Sequence, residues 1–177
     1  MRKSSTVWLI LLVAGAVAGR SQDPHQHGEH HSPYADQEAS GIAALSAREV
    51  ENLESGAGMG LARAAELNHY PGPKHVLELA ASLSLSAGQS AEVEEIRLAM
   101  LAEARRLGAA ILEKESLLDR RFAHRHIDEA ALRRLTGEIG ALQGELRFVH
   151  LVAHLRVASI LTREQIDAYD ALRGYGE

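Results

Sequence analysis

Seven apolar residues, Leu132, Leu135, Ile139, Leu142, Leu146, Val149 and Ala153, recur at alternating spacings of three and four. That repeat is the seam of a coiled-coil-like pairing. It makes one long helix of the stretch from an N-cap at Asp128 to about Ser159. A second stripe, Val93, Ile96, Met100, Ala104, Leu107, Ile111, Leu118 and Phe122, marks a helix from Ala87 to about Ala123, interrupted by Glu115. At 1.5 Å per residue each helix is roughly 50 Å long. Only His124-Arg125-His126 separates them, and so short a turn implies an antiparallel hairpin.

Two copies of one short pattern bracket this hairpin: Leu85-Ser86-Ala87-Gly88-Gln89 and Leu161-Thr162-Arg163-Glu164-Gln165. Each is a capping box. The Ser or Thr hydroxyl accepts from the N3 amide, and the N3 Gln reaches back to the N–H of the cap. Leu161 and Ile166 also sit at the positions of a hydrophobic staple, whereas Ser90 leaves the first copy without one. The second box opens a short helix to about Arg173, ended by Gly174. Upstream, Ser46-Ala47-Arg48-Glu49 opens a helix to about Glu54, and Ser55-Gly56-Ala57-Gly58 breaks it. Met59 to Asn68 reads as another short helix. Tyr70-Pro71-Gly72-Pro73 is a turn, with Pro73 placed to start a third helix to about Leu83.

The paired motifs resemble those of the Spy/CpxP family of small periplasmic helical proteins, which carry paired LTxxQ motifs. The resemblance covers residues 83–173. Leu161, Thr162 and Gln165 match fully; Leu85, Ser86 and Gln89 depart only in Ser for Thr, which preserves the cap chemistry. The stretch Gly58-Met59-Gly60-Leu61-Ala62 through Tyr70-Pro71-Gly72-Pro73 is similar to members that are periplasmic metal sensors. The family includes ATP-independent chaperones, zinc-resistance-associated proteins and heavy-metal sensors. The resemblance therefore implies an exported, all-α, non-enzymatic protein.

The first 18 residues have the build of a signal peptide. Arg2 and Lys3 precede an apolar run from Val7 to Val17, too short for the roughly 20 residues that span a bilayer. Ala16-Val17-Ala18 offers a cleavage site. An uncleaved anchor is the competing reading, and the only route by which this chain would hold a membrane. Residues 19–40 form a polar, His-rich linker, 41–83 the short N-terminal helices, and 84–177 the hairpin and tail. The chain has no cysteine, which excludes disulfides, thiolate catalysis, Cys-based zinc sites and a lipoprotein anchor. The leader holds two of the 19 basic residues and none of the 24 acidic ones, leaving a net charge of −7. That argues against nucleic acid as a partner.

A two-helix hairpin leaves apolar surface open, and Phe148 to Leu161 is apolar nearly all the way round. The short helices can cover part of it. A second copy of the chain, in an intertwined homodimer, is expected to cover the rest.

Ten histidines are a high count, and all follow the leader. His150 and His154 are four apart, so both rings project from one helix face, a spacing that can chelate zinc, nickel or copper. The alternative is that each satisfies a backbone or carboxylate group at an interface. A third ligand has to come from elsewhere. Folding the hairpin about residue 126 brings Glu94, Glu95 and Glu103 nearest. His150-Leu151-Val152-Ala153-His154 lacks the Glu of a zinc peptidase motif. In the linker His25, His27, His30 and His31, with Asp23 and Glu29, can bind cations adaptably or serve as a spacer. At the hairpin tip Arg120, Arg121, Arg125, Arg133 and Arg134 make a locally basic patch, fit to dock an acidic partner or lipid headgroups, or to stand as a solvated turn. Glu115 is expected to pair with a nearby Arg; buried and unpaired, its pKa would rise. His69 and His75 read as surface groups.

Two functions follow as expectations. One is metal-responsive binding of a divalent transition metal in the envelope, as sensor or buffer, with no organic cofactor. The other is an ATP-independent holdase. Partners would be a second copy and either unfolded clients or a membrane signalling protein.

Overall fold

A computed structural model of the chain describes residues 41–175. The expected signal segment, the linker and its four histidines lie outside the described residues. These contain six helices and no strand: α1 (Ala47–Ser55), α2 (Arg63–Glu66), α3 (Pro73–Glu78), α4 (Ala87–Ala123), α5 (Glu129–Ile160) and α6 (Arg163–Arg173). The long hairpin is α4 against α5. Among the described residues no helix is long and apolar enough to cross a membrane.

Helix starts follow the capping chemistry. Ser46, Ser86 and Thr162 each accept from an N3 amide, with a reciprocal Glu49, Gln89 or Gln165 on the cap N–H. Asp128 caps α5 by accepting from Ala131 N–H at 2.7 Å. Gly56 and Gly174 end α1 and α6 in the left-handed region, with φ of 72° and 76°, a conformation glycine adopts without a Cβ clash.

The two motif glutamines do more than cap. Gln89 Nε2 donates to Gln165 Oε1 at 2.8 Å, and Gln165 Nε2 donates back to Gln89 Oε1 at 3.2 Å. Their remaining N–H groups donate to the Ile160 and Leu83 carbonyls, at 3.0 and 3.2 Å. The start of α4 and the start of α6 are thereby clasped at the open end of the hairpin.

Two clusters form the core. At the open end Val76, Leu83, Val93, Val157, Leu161 and Tyr169 pack together. Further along, Leu53, Ala104, Leu107, Ile111 and Leu146 do so. Burying each such Val or Leu is worth about 1.5–3 kcal/mol. Gly108 lets α1 reach α4: a Cβ there would collide with the Leu53 carbonyl oxygen.

The structure corrects three local expectations. The Met59–Asn68 helix shrinks to Arg63–Glu66, because Met59 and Gly60 are left-handed (φ 46° and 75°) and so is His69 (φ 66°). The third helix stops at Glu78 rather than Leu83. Turns follow it, closed by Ser84 N–H to Ala81 and Leu85 N–H to Ala80 around a left-handed Ser84 (φ 51°). Phe122, assigned to the buried stripe, is 53% exposed. It lies in the last turn of α4, and the returning helix starts with small alanines at 130 and 131.

Candidate functional site

His150 and His154 stand on α5 between the apolar residues Leu146, Val149, Ala153 and Val157. Both are buried, at 3% and 8% exposure. Their cover comes from the N-terminal loops. Gly58 passes over His150, where a Cβ would lie 3.9 Å from Nδ1. The Tyr70–Pro73 turn lies over His154, and a Cβ on Gly72 would come within 2.9 Å of its Cε1. Glycine is what lets this turn close on the imidazole.

His154 Nδ1 lies 2.8 Å from the Tyr70 carbonyl oxygen. A carbonyl only accepts, so Nδ1 carries a hydrogen, which leaves Nε2 as the ring nitrogen that can ligate. His150 Nε2 is buried without a hydrogen-bond partner. Burial, and then the proximity of His154, lower the His150 pKa, which favours the neutral ring.

Glu66, from α2, is the carboxylate next to this pair. Its Oε2 lies 3.6 Å from His154 Nδ1. Its Oε1 accepts from Tyr169 OH at 2.6 Å and Tyr175 OH at 3.2 Å, with Arg173 Nη2 at 3.5 Å. Burial, and then the hydrogen bond to Glu66, drive the Tyr169 phenol pKa far up, so it remains a donor. Gly72 N–H in turn donates to Tyr169 OH at 3.4 Å, tying the turn to α6.

His150, His154, Glu66, Arg173 and Tyr175 border an open cavity of about 810 Å³, with Met59 and Met100 among its walls. Among the described residues no three His, Asp or Glu side chains stand close enough together to hold a cation. Two imidazoles and one carboxylate stand together here, with Glu66 Oε2 on the Nδ1 side of the His154 ring. Their chemistry suits a borderline divalent metal: two imidazoles and a carboxylate, with the His154 ring oriented by a backbone carbonyl.

The α4 carboxylates expected opposite the pair are engaged elsewhere or exposed. Glu94 holds Arg97 at 2.7 Å, Glu103 holds Arg106 at 2.9 Å, and Glu95 faces solvent. Sequence reasoning missed Glu66, Tyr169 and Tyr175, because it looked for the third donor across the hairpin. The signal available was Glu66's place within the 58–73 segment that carries the metal-sensor resemblance.

His69 is exposed but bonds Asp170 through Nδ1 at 2.8 Å; His75 is half-buried, borders the cavity and bonds Glu78 at 2.9 Å. At the tip Arg120 bonds Ser116 Oγ, Arg121 the His126 carbonyl, Arg133 Glu129 and Arg134 Glu138. Arg125 is exposed, with φ of 54°. Glu115 has no ion pair among the described residues, contrary to expectation, and partial burial raises its pKa. The Arg side chains near it in sequence point into these local bonds.

A family model described as "LTXXQ motif family protein" matches residues 72–173. No curated protein and no solved structure matches the chain.

Proposed function

From the chain's membership of the LTXXQ motif family, the family of Spy/CpxP-type periplasmic proteins, we propose a periplasmic metal-responsive protein that takes a divalent transition metal beside α5. The observation that carries this reading is the His150 imidazole, buried with Nε2 unpartnered one turn from His154. Leaving a buried polar atom unpaired costs about 1–3 kcal/mol. A ligand for that lone pair would recover it.

His150 and His154 would be the ligands, with Glu66 as the added carboxylate. Bound there, a metal would supply a divalent charge beside Glu66 and hold the 58–73 segment on α5. The protein's own contribution is orientation. The Tyr70 carbonyl fixes the His154 tautomer, and Tyr169, Tyr175 and Arg173 steady the carboxylate. Binding to the folded state alone would raise stability with metal concentration. The reading is of a binding protein, not a catalyst.

Titration calorimetry with Zn²⁺, Ni²⁺ and Cu²⁺ tests it, in a full-length background with His25, His27, His30 and His31 replaced by Gln. His150→Ala with His154→Ala should weaken binding at least tenfold, about 1.4 kcal/mol. Unchanged isotherms would refute the site.

A second reading, an ATP-independent holdase, rests on exposed apolar side chains: Leu98, Phe122, Phe148 and Leu155 are each more than half exposed. Suppression of client aggregation near equimolar ratio, with and without chelator, would favour it. Absence of suppression would rule it out.

A further inference from the structure

The chain has three methionines. Met1 lies in the expected leader. The other two, Met59 and Met100, both border the cavity that His150 and His154 border. They come from different parts of the chain. Met100 belongs to the inward stripe of α4, between Ile96 and Ala104, and is half-buried. Met59 follows Gly58, the residue that passes over His150, and is held in the left-handed region at φ 46°. That conformation is uncommon for a residue with a Cβ. Two thioethers and two buried imidazoles, one with Nε2 unpartnered, thus share one cavity.

The charged groups at the cavity favour an ion of small charge. Glu66 is the acid that borders it, and its Oε1 already accepts from Tyr169 and Tyr175. Against it stand the cations Arg63, Lys74, Arg97 and Arg173. Such surroundings oppose a second added positive charge more than a first. The donors left over are neutral: two imidazole nitrogens and two thioether sulfurs. Thioethers are soft ligands that select Cu(I), and imidazole also binds copper. We propose that this cavity binds copper in its cuprous state, with Met59 and Met100 as sulfur ligands beside His150 and His154. The assignment rests on the reading of His150 and His154 as ligands. It adds what their spacing leaves open: two further ligands and the oxidation state of the ion. A divalent ion would draw on Glu66, whereas the cuprous ion would draw on the thioethers. Met is unbranched with three rotatable bonds, so its sulfur can close on an ion with little backbone movement. A wall that only packs would keep its role with leucine in place of methionine, a volume-conserving exchange. Ligation would not survive it.

The absence of cysteine makes the test clean, since any protein sulfur on the metal is then methionine's. The full-length chain, with His25, His27, His30 and His31 replaced by Gln, is loaded with Cu(I) anaerobically under ascorbate. Competition against bicinchoninate measures the affinity, and X-ray absorption at the copper edge reads the ligands. The spectrum should contain a sulfur shell as well as nitrogen. Met59→Leu with Met100→Leu should remove that shell and weaken Cu(I) binding at least tenfold, about 1.4 kcal/mol. The Zn²⁺ isotherm and the helical circular dichroism should not change. Met100→Leu alone, within α4, should lose part of the shell. A copper shell of nitrogen and oxygen only, or a Cu(I) affinity indifferent to both leucines, would overturn the proposal. So would an equal loss of Cu(I) and Zn²⁺ affinity, which marks packing of the cavity wall. If Zn²⁺ binding still depends on His150 and His154 in any of these cases, the divalent site stands and only its cuprous role fails. If neither ion binds, both fail.

Discussion

Gln89 and Gln165 bond each other amide to amide, each oxygen accepting from the other's nitrogen, although 76 residues separate them. Each oxygen also accepts its own cap N–H, from Ser86 at 3.0 Å and Thr162 at 2.9 Å. With the two outward donations to Ile160 and Leu83, each side-chain amide makes four hydrogen bonds. The LTxxQ pattern thus has a physical role beyond capping. Its Gln is the one residue of the box that can serve a helix start and, at the same time, latch onto a second box; a Glu carboxylate in its place would have no N–H to donate.

The latch predicts coupling. Gln89→Ala and Gln165→Ala should each cost roughly 1–3 kcal/mol, since each strands part of the other's amide as well as removing a cap bond. The double variant should cost less than the sum of the singles, because the shared bonds are lost only once. Urea unfolding midpoints of the four proteins measure this. Strict additivity would mean that the two boxes act independently.

Gly108→Ala should destabilise the protein by about 1–3 kcal/mol, the range for overpacking. The added methyl would meet the Leu53 backbone carbonyl, which cannot swing aside as a side chain could. Thermal unfolding reads this out, and Gly140→Ala, in open space, serves as the control. There the change should be neutral or stabilising.

Glu115 gives the pH prediction. Burial raises its pKa in the folded protein, so between the unfolded and folded values the native state binds the extra proton. Stability is lost as pH rises through that window, and the penalty is complete at neutral pH. Glu115→Gln should therefore stabilise at pH 7, by roughly a few tenths of a kcal/mol given its partial exposure, and do nothing near about pH 3.5, where the carboxyl is protonated in both states. A benefit equal at both pH values would point to packing instead of charge.

Tyr169→Phe should cost about 1–3 kcal/mol. It removes the 2.6 Å donor to Glu66 and the acceptor of Gly72 N–H. The loss should be local to the Tyr70–Pro73 turn, and hydrogen exchange at the Gly72 amide should quicken more than exchange in α4. Uniform quickening would mean that Tyr169 acts only through the core.

Much of the scaffold was legible in the sequence. The span Ala87–Ala123 was set by a cap and an apolar period, both local signals, and the seam from Leu135 to Ala153 identified the face that α4 covers. The segments that failed, 59–68 and 79–83, are short. Their conformation depends on left-handed residues at Met59, His69 and Ser84 that nothing in their side chains announces. The His150–His154 pair was visible as a spacing. That the short N-terminal helices can cover this stretch was legible too; which residues of 58–73 lie over the pair was not, because the segment returns to α5 from the N-terminal side of the hairpin.

The sequence by itself determined where helices start and which faces are apolar, because capping and periodicity act within one or two turns. Only the tertiary structure decided which distant groups meet. The arms of the hairpin, 37 and 32 residues long, return the chain to its starting level. That return sets Gln165 against Gln89 and Tyr169 against Glu66. Such pairings are chosen by the geometry of the closed hairpin, since the side chains involved would satisfy their hydrogen bonds equally well in water until burial makes each partner count.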